Sequence, residues 1–126
     1  MAQPTAVLLV AGLSEGLLRH APRMRAFAEK GRRRRLRPVL PAVTSSVQSS
    51  MLTGLLPGRH GVVGNGWYNR ELADIQFWEQ SNHLVQGEKV WETARRRDPS
   101  LTCANLCWWF NMYSSADYSV TPTFSP

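Results

Sequence analysis

The residues most able to do chemistry lie between positions 41 and 65, Pro41-Ala-Val-Thr-Ser-Ser-Val-Gln-Ser-Ser-Met-Leu-Thr-Gly-Leu-Leu-Pro-Gly-Arg-His-Gly-Val-Val-Gly-Asn65. Thr44 opens a run of hydroxyl side chains that reads as the start of a short helix, with Val47, Met51 and Leu52 turned inward and Gly54 as its stop. A hydroxyl at a helix start faces free backbone N–H groups and the positive end of the helix dipole, which favours a bound phosphate and suits an alkoxide. A threonine hydroxyl is a poor nucleophile at its ordinary pKa, so attack on phosphorus requires a base or a metal. The bland alternative for Thr44 is an ordinary helix N-cap.

Residues 57–70 are rich in Gly and Asn and read as a loop, the kind of segment that carries sites. His60 followed by Gly61 reads as a loop-shaping pair and not as a metal ligand. Asn65, between Gly64 and Gly66, is either an amide donor toward an anion or a turn residue of positive φ.

Taken together, Thr53, Gly54, Pro57, His60, Gly61 and Asn65 reproduce the spacing Thr-Gly-x-x-Pro-x-x-His-Gly-x-x-x-Asn, with Thr44 ahead of it. The segment resembles the nucleophile region of the nucleotide pyrophosphatase/phosphodiesterase and phosphonoacetate hydrolase families of the alkaline phosphatase superfamily. Further stretches, Asn65-Gly-Trp-Tyr-Asn-Arg-Glu-Leu-Ala-Asp, Gln86-Gly-Glu-Lys-Val-Trp-Glu-Thr-Ala and Tyr113-Ser-Ser-Ala-Asp-Tyr-Ser-Val-Thr-Pro, extend the likeness over nearly the whole chain. The resemblance implies a hydrolase of phosphodiester or pyrophosphate bonds with Thr44 as the residue phosphorylated in the intermediate. It implies that Asn65 donates to a phosphoryl oxygen, and that a divalent metal pair, two zinc ions, is contacted by the Thr44 hydroxyl. The implied fold is a three-layer α/β/α arrangement around a mostly parallel sheet, of which residues 1–126 would be the N-terminal portion of a single catalytic domain. The implied substrate is a phosphorylated small molecule or a nucleotide.

One position departs from that pattern. In those families the first strand ends in Asp-Gly, whose carboxylate binds metal, and the matching pair here is Ala11-Gly12. Alanine cannot ligate a metal. Glu15, four residues on, is a substitute carboxylate or a solvated first-turn residue, and the other expected Asp and His ligands would follow residue 126. These residues alone are therefore expected to be inactive. A relative that binds a phosphorylated ligand without cleaving it is the nearest alternative.

The elements that must position these residues read as α/β. Residues 6–11 are a continuous Val- and Leu-rich run suited to a strand buried on both faces of a parallel sheet. Residues 22–30 have helical spacing of Met24, Phe27 and Ala28, with Gly31 at the C-cap. Residues 36–40 form an extended or edge segment broken by Pro38. Residues 88–97 read as a helix with Val90, Trp91 and Ala94 on one face, and 101–109 as another strand. Residues 118–126 are broken by Pro122 and Pro126.

The formal charge of +6 is unevenly spread, since residues 19–37 hold nine of the fifteen basic side chains and one acid. The remainder is slightly acidic. The run of Arg32, Arg33, Arg34, Arg35 and Arg37 is the feature that would support a basic nucleic-acid-binding module. Without a docking motif around it, it reads as a solvated connection, and no specific nucleic-acid partner is expected. Cys103 and Cys107 give neither a CxxC nor a second pair, and read as reduced core thiols. The apolar run at 6–13 is too short to span a bilayer and lacks signal-peptide features, so a cytoplasmic chain without a membrane segment is expected. Trp67, Tyr68, Phe77, Trp78, Trp108 and Trp109 could stack a nucleobase, although such residues more commonly pack a core or a lid.

Overall fold

The computed structural model describes residues 3–122, which fall into two compact units that divide between Arg37 and Pro38. In the first, α1 (Glu15–Leu18) starts where the Ser14 hydroxyl accepts from the Leu17 N–H, and α2 (Pro22–Glu29) begins with proline at a position where no N–H is needed. Glu15 is an exposed first-turn residue of α1. The helix expected at 22–30 is thus present, but it closes on Lys30 in a right-handed conformation, and Gly31 does not take the left-handed cap geometry.

Residues 6–11 do not form the buried strand expected of them. Val7 and Leu8 are 63% and 84% exposed, and no segment of the described residues pairs with this run. Strand geometry is held by a hydrogen-bonded neighbour, so an apolar run without one keeps the composition of a core strand and none of its pairing. Residues 36–40 are likewise outside any strand.

The second unit contains α3 (Thr44–Thr53), α4 (Pro57–His60), the hairpin β1 (Gly66–Asn69) and β2 (Asp74–Phe77), α5 (Val90–Arg97), and the pair β3 (Ala104–Leu106) and β4 (Tyr118–Val120). β1 and β2 are antiparallel with Tyr68 opposite Ile75, whereas β3 and β4 are parallel with Asn105 opposite Ser119. A mostly parallel sheet is therefore not what the described residues form: they hold one antiparallel and one parallel pair. The strand expected over 101–109 shortens to three residues because Cys107 and Phe110 take positive φ and turn the chain away. β4 lies in the stretch expected to be irregular, and Pro126 lies outside the described residues.

The core of this unit is Val62, Val85, Trp109 and Phe110, with Trp67 and Leu84 packed against it. Buried amides bridge the segments around it. Asn82 Nδ2 donates to the Phe110 carbonyl at 2.9 Å, and Asn111 Nδ2 donates to Asn105 O at 3.2 Å and Val120 O at 3.1 Å, tying the turn to the β3–β4 pair. α5 buries Trp91 and leaves Val90 57% exposed, so the two do not share the buried face expected of them. Trp91 Nε1 donates to Ser115 Oγ at 2.9 Å, Ser115 in turn donates to Glu92, and Arg95 pairs with Asp117. Cys103 and Cys107 are free, but Cys103 is half-buried and Cys107 exposed, so they are not core thiols.

Candidate functional site

α3 carries the site, and its N-terminus is built without a side-chain cap of its own. Val43 is the N-cap, in extended geometry, and Thr44 is the first helical residue. The first N–H groups of a helix have no acceptor within it and must find one elsewhere. The acceptor comes from twenty residues away: Asn65 Oδ1 takes the Ser45 N–H at 3.0 Å. Thr44 is therefore not an N-cap. It is exposed, and its hydroxyl enters no hydrogen bond among the described residues. Asn65 is half-buried and does not adopt positive φ, so the turn-residue alternative does not describe it.

The same bond fixes the amide that Asn65 offers. With Oδ1 committed to the Ser45 N–H, the side chain lies against the turn that Thr44 begins, and Nδ2 makes no hydrogen bond among the described residues. A helix start, a free hydroxyl and an oriented amide together suit a tetrahedral anion.

Behind this surface, α3 is held by polar contacts. Its buried side chains are Ser45, Ser46, Gln48, Ser49 and Leu52, while Met51 is 43% exposed and Val47 only half-buried. The helix is thus rotated from the orientation expected from its apolar residues. Gln48 Oε1 accepts the Trp109 N–H at 2.7 Å, which draws the polar face of α3 onto the core. Gly54, at φ 70°, stops the helix as expected.

His60, 0% exposed, ends α4 beneath α3. Its Nδ1 accepts the Val62 N–H at 3.1 Å, so in the neutral ring the proton is on Nε2, which donates to Ser50 Oγ at 2.9 Å. Burial pushes its pKa below the ordinary value, against hydrogen bonds with the backbone of His60 and Ser46 that raise it. A buried, neutral imidazole with both nitrogens engaged joins α3 to the Val62 backbone and has no lone pair left over. The roles of Ser45, Gln48 and Ser50 were not readable from sequence, because each depends on a partner ten to sixty-one residues away.

The expected metal does not fit the described residues. No group of three or more His, Cys, Asp or Glu residues among them could hold an ion. The shallow depression around Ala11 and Gly12 is lined by Val10, Leu13, Leu17, His20 and Ala21 and contains no carboxylate. The aromatic residues divide by environment. Trp109 is in the core with Trp67 against it, and Trp78 meets Trp109 edge-on with ring centroids 5.0 Å apart. Tyr68 and Phe77 are 59% and 64% exposed. The five arginines of the basic run are exposed and outside any helix or strand.

A helix whose first residue is a free threonine, capped from a distance by an asparagine in a Gly-rich loop, is an arrangement compatible with a bound phosphoryl group. In agreement with it, the family profile of type I phosphodiesterase / nucleotide pyrophosphatase matches residues 5–126. The chain belongs to this family, whose fold is alkaline phosphatase-like α/β and whose activity is hydrolysis of phosphodiester and pyrophosphate bonds in phosphorylated nucleotide substrates. Comparison with curated proteins gives no significant individual match.

Proposed function

We propose that these residues are the N-terminal, nucleophile-bearing portion of a hydrolase domain that cleaves phosphodiester or pyrophosphate bonds through a phosphorylated Thr44. The observation that supports the reading is the Asn65 Oδ1 to Ser45 N–H bond, which brings the Asn65 side chain onto the turn begun by an exposed Thr44. In the first step the Thr44 oxygen bonds to phosphorus, the bond to the leaving oxygen breaks, and the hydroxyl proton goes to a base. In the second, water attacks phosphorus and the Thr44 oxygen leaves, recovering a proton. Asn65 Nδ2 and the first-turn N–H groups of α3 other than that of Ser45 stabilise charge on the non-bridging oxygens.

His60 is not that base, since it is buried and both ring nitrogens are bonded. Activation of Thr44 is assigned to groups outside the described residues, as is the holding of any divalent metal, zinc in the sequence-based expectation. The test is acid-quench trapping of the phosphoenzyme in the complete domain, with the label mapped by mass spectrometry. Label on Thr44, absent in Thr44→Ala and retained in part by Thr44→Ser, is the expected result; label elsewhere overturns the assignment.

Ala11 favours a second reading, in which the site binds a phosphorylated ligand without cleaving it. That form would bind nucleoside monophosphate with Thr44 unmodified and show no turnover in the complete domain.

A further inference from the structure

We propose that His60 is the positioning residue that keeps Asn65 seated on the nucleophile helix, through a two-point clamp of α3 by the segment that joins them. The inference rests on the phosphoryl-site reading for its functional meaning, but the clamp itself is a matter of geometry.

The clamp has an anchor at each end of a short length of chain. At one end, His60 Nε2 donates to Ser50 Oγ at 2.9 Å, in the second half of α3. At the other, Asn65 Oδ1 accepts the Ser45 N–H at 3.0 Å, in its first turn. Positions 45 and 50 on the helix are thus bonded to positions 65 and 60 on the loop, so helix and loop run antiparallel and are pinned together twice. Between the anchors, His60 Nδ1 takes the Val62 N–H, and Val62, 0% exposed, is one of the four core residues of this unit. The His60 carbonyl accepts the Gln86 N–H at 2.9 Å, which ties the same residue to the following segment. Gly61, at φ 83°, makes the turn that lets ring and carbonyl face these different partners. A single imidazole therefore joins α3, the core and the loop that delivers Asn65. Without its contact to Ser50 the loop would keep Val62 in the core but lose its registration against α3, and Asn65 would spend less time on the Ser45 N–H.

The Ser45 amide reports this directly. It is the second residue of α3, has no acceptor within the helix, and is protected from hydrogen exchange by Asn65. The experiment is site-resolved hydrogen exchange on the full 126-residue chain carrying Ser50→Ala, with Ser50→Thr and His60→Ala as companions. Ser50→Ala removes the far anchor while leaving the imidazole and the loop intact, so the inference survives a misfolded His60→Ala. The expected result is that Ser50→Ala speeds exchange of the Ser45 amide by roughly tenfold, with Ser50→Thr restoring protection. The Asp98 amide, which closes α5 on Ala94 O, should be unchanged. Unchanged Ser45 exchange in Ser50→Ala overturns the proposal. So does a loss of protection shared equally by Asp98, which would mark a general loss of stability. Because the probe is an amide and not turnover, a failed Thr44 assignment leaves this result untouched, and a failed clamp leaves Thr44 untouched.

Discussion

Replacing Asn65 by aspartate separates the capping bond of this side chain from the donor role proposed for it. Oδ1 accepts the Ser45 N–H at 3.0 Å in a half-buried setting, a bond of the helix-capping kind. Asn65→Ala deletes it and leaves the N–H without its acceptor, which should cost about 1 kcal/mol. For a unit of this size that lowers Tm by roughly 4–8 °C. Asn65→Asp keeps an acceptor in the same place and adds negative charge at the positive end of α3, a gain of about 0.3–1 kcal/mol. The aspartate variant should therefore be at least as stable as the parent, and about 1–2 kcal/mol more stable than the alanine variant. Its chemistry should move the other way. The Nδ2 donors are gone in both variants, and loss of one charge-stabilising donor typically lowers turnover by about 10²–10³. The carboxylate also repels the anionic substrate, so Asn65→Asp should be the more impaired of the two. Urea unfolding followed by tryptophan fluorescence reads the first quantity. Hydrolysis of a nitrophenyl phosphodiester by the complete domain reads the second. An aspartate variant as unstable as the alanine one would deny the capping bond, and one that kept parental turnover would deny the donor role.

Thr44→Ala should leave stability within about 0.5 kcal/mol by urea titration, because the side chain is exposed and caps nothing, while abolishing turnover in the complete domain. The chain of residues 1–126 supplied with zinc should hydrolyse a nitrophenyl phosphodiester no faster than buffer; turnover that disappears with Thr44→Ala would contradict this. Since the folded-state pKa of His60 lies below that of the unfolded chain, its contribution to stability is complete above about pH 6.5 and declines as pH falls toward the folded value. Unfolding free energies measured across that range should show the decline flattened in His60→Gln. Gly66→Ala places a Cβ against the exposed Phe77 ring, which must turn aside, and 3.0 Å from Gln76 O, which must give slightly, so a cost of about 1 kcal/mol is expected in the same titration.

What could be read in the sequence was what local chemistry decides. Gly54 ends α3 in the left-handed conformation because only glycine takes it without penalty, and the span of α5 follows from its residues alone. Readings that needed to know a neighbour were wrong. The apolar run at 6–11 looks like a buried strand in composition, yet burial and pairing belong to the partner as much as to the run. Met51 looks inward by its hydrophobicity, but α3 is oriented by Gln48 on the Trp109 N–H and by Asn65 on the Ser45 N–H, which turn Met51 outward. The spacing from Thr44 to Asn65 was legible as a motif. Its physical content, an asparagine capping the helix that the threonine begins, appears only once the loop is folded back.

α3 is held by a few directed bonds more than by apolar burial. Ser45, Ser46 and Ser49 are buried with hydroxyls that have no hydrogen-bond partner among the described residues, and only Leu52 adds a buried apolar side chain to the helix. Buried hydroxyls without partners disfavour the folded state, so this face is less stabilising than an alanine or leucine face of the same shape. Against that cost, Asn65 reaches the first turn of α3 and His60 reaches Ser50 directly. The helix is therefore fixed by three directed bonds, through Ser45, Gln48 and Ser50, and not by a broad apolar face. Such bonds set orientation to within a narrow angular range, whereas apolar contact is indifferent to it. For a helix proposed to aim one hydroxyl at phosphorus, that is the property worth keeping at the expense of stability.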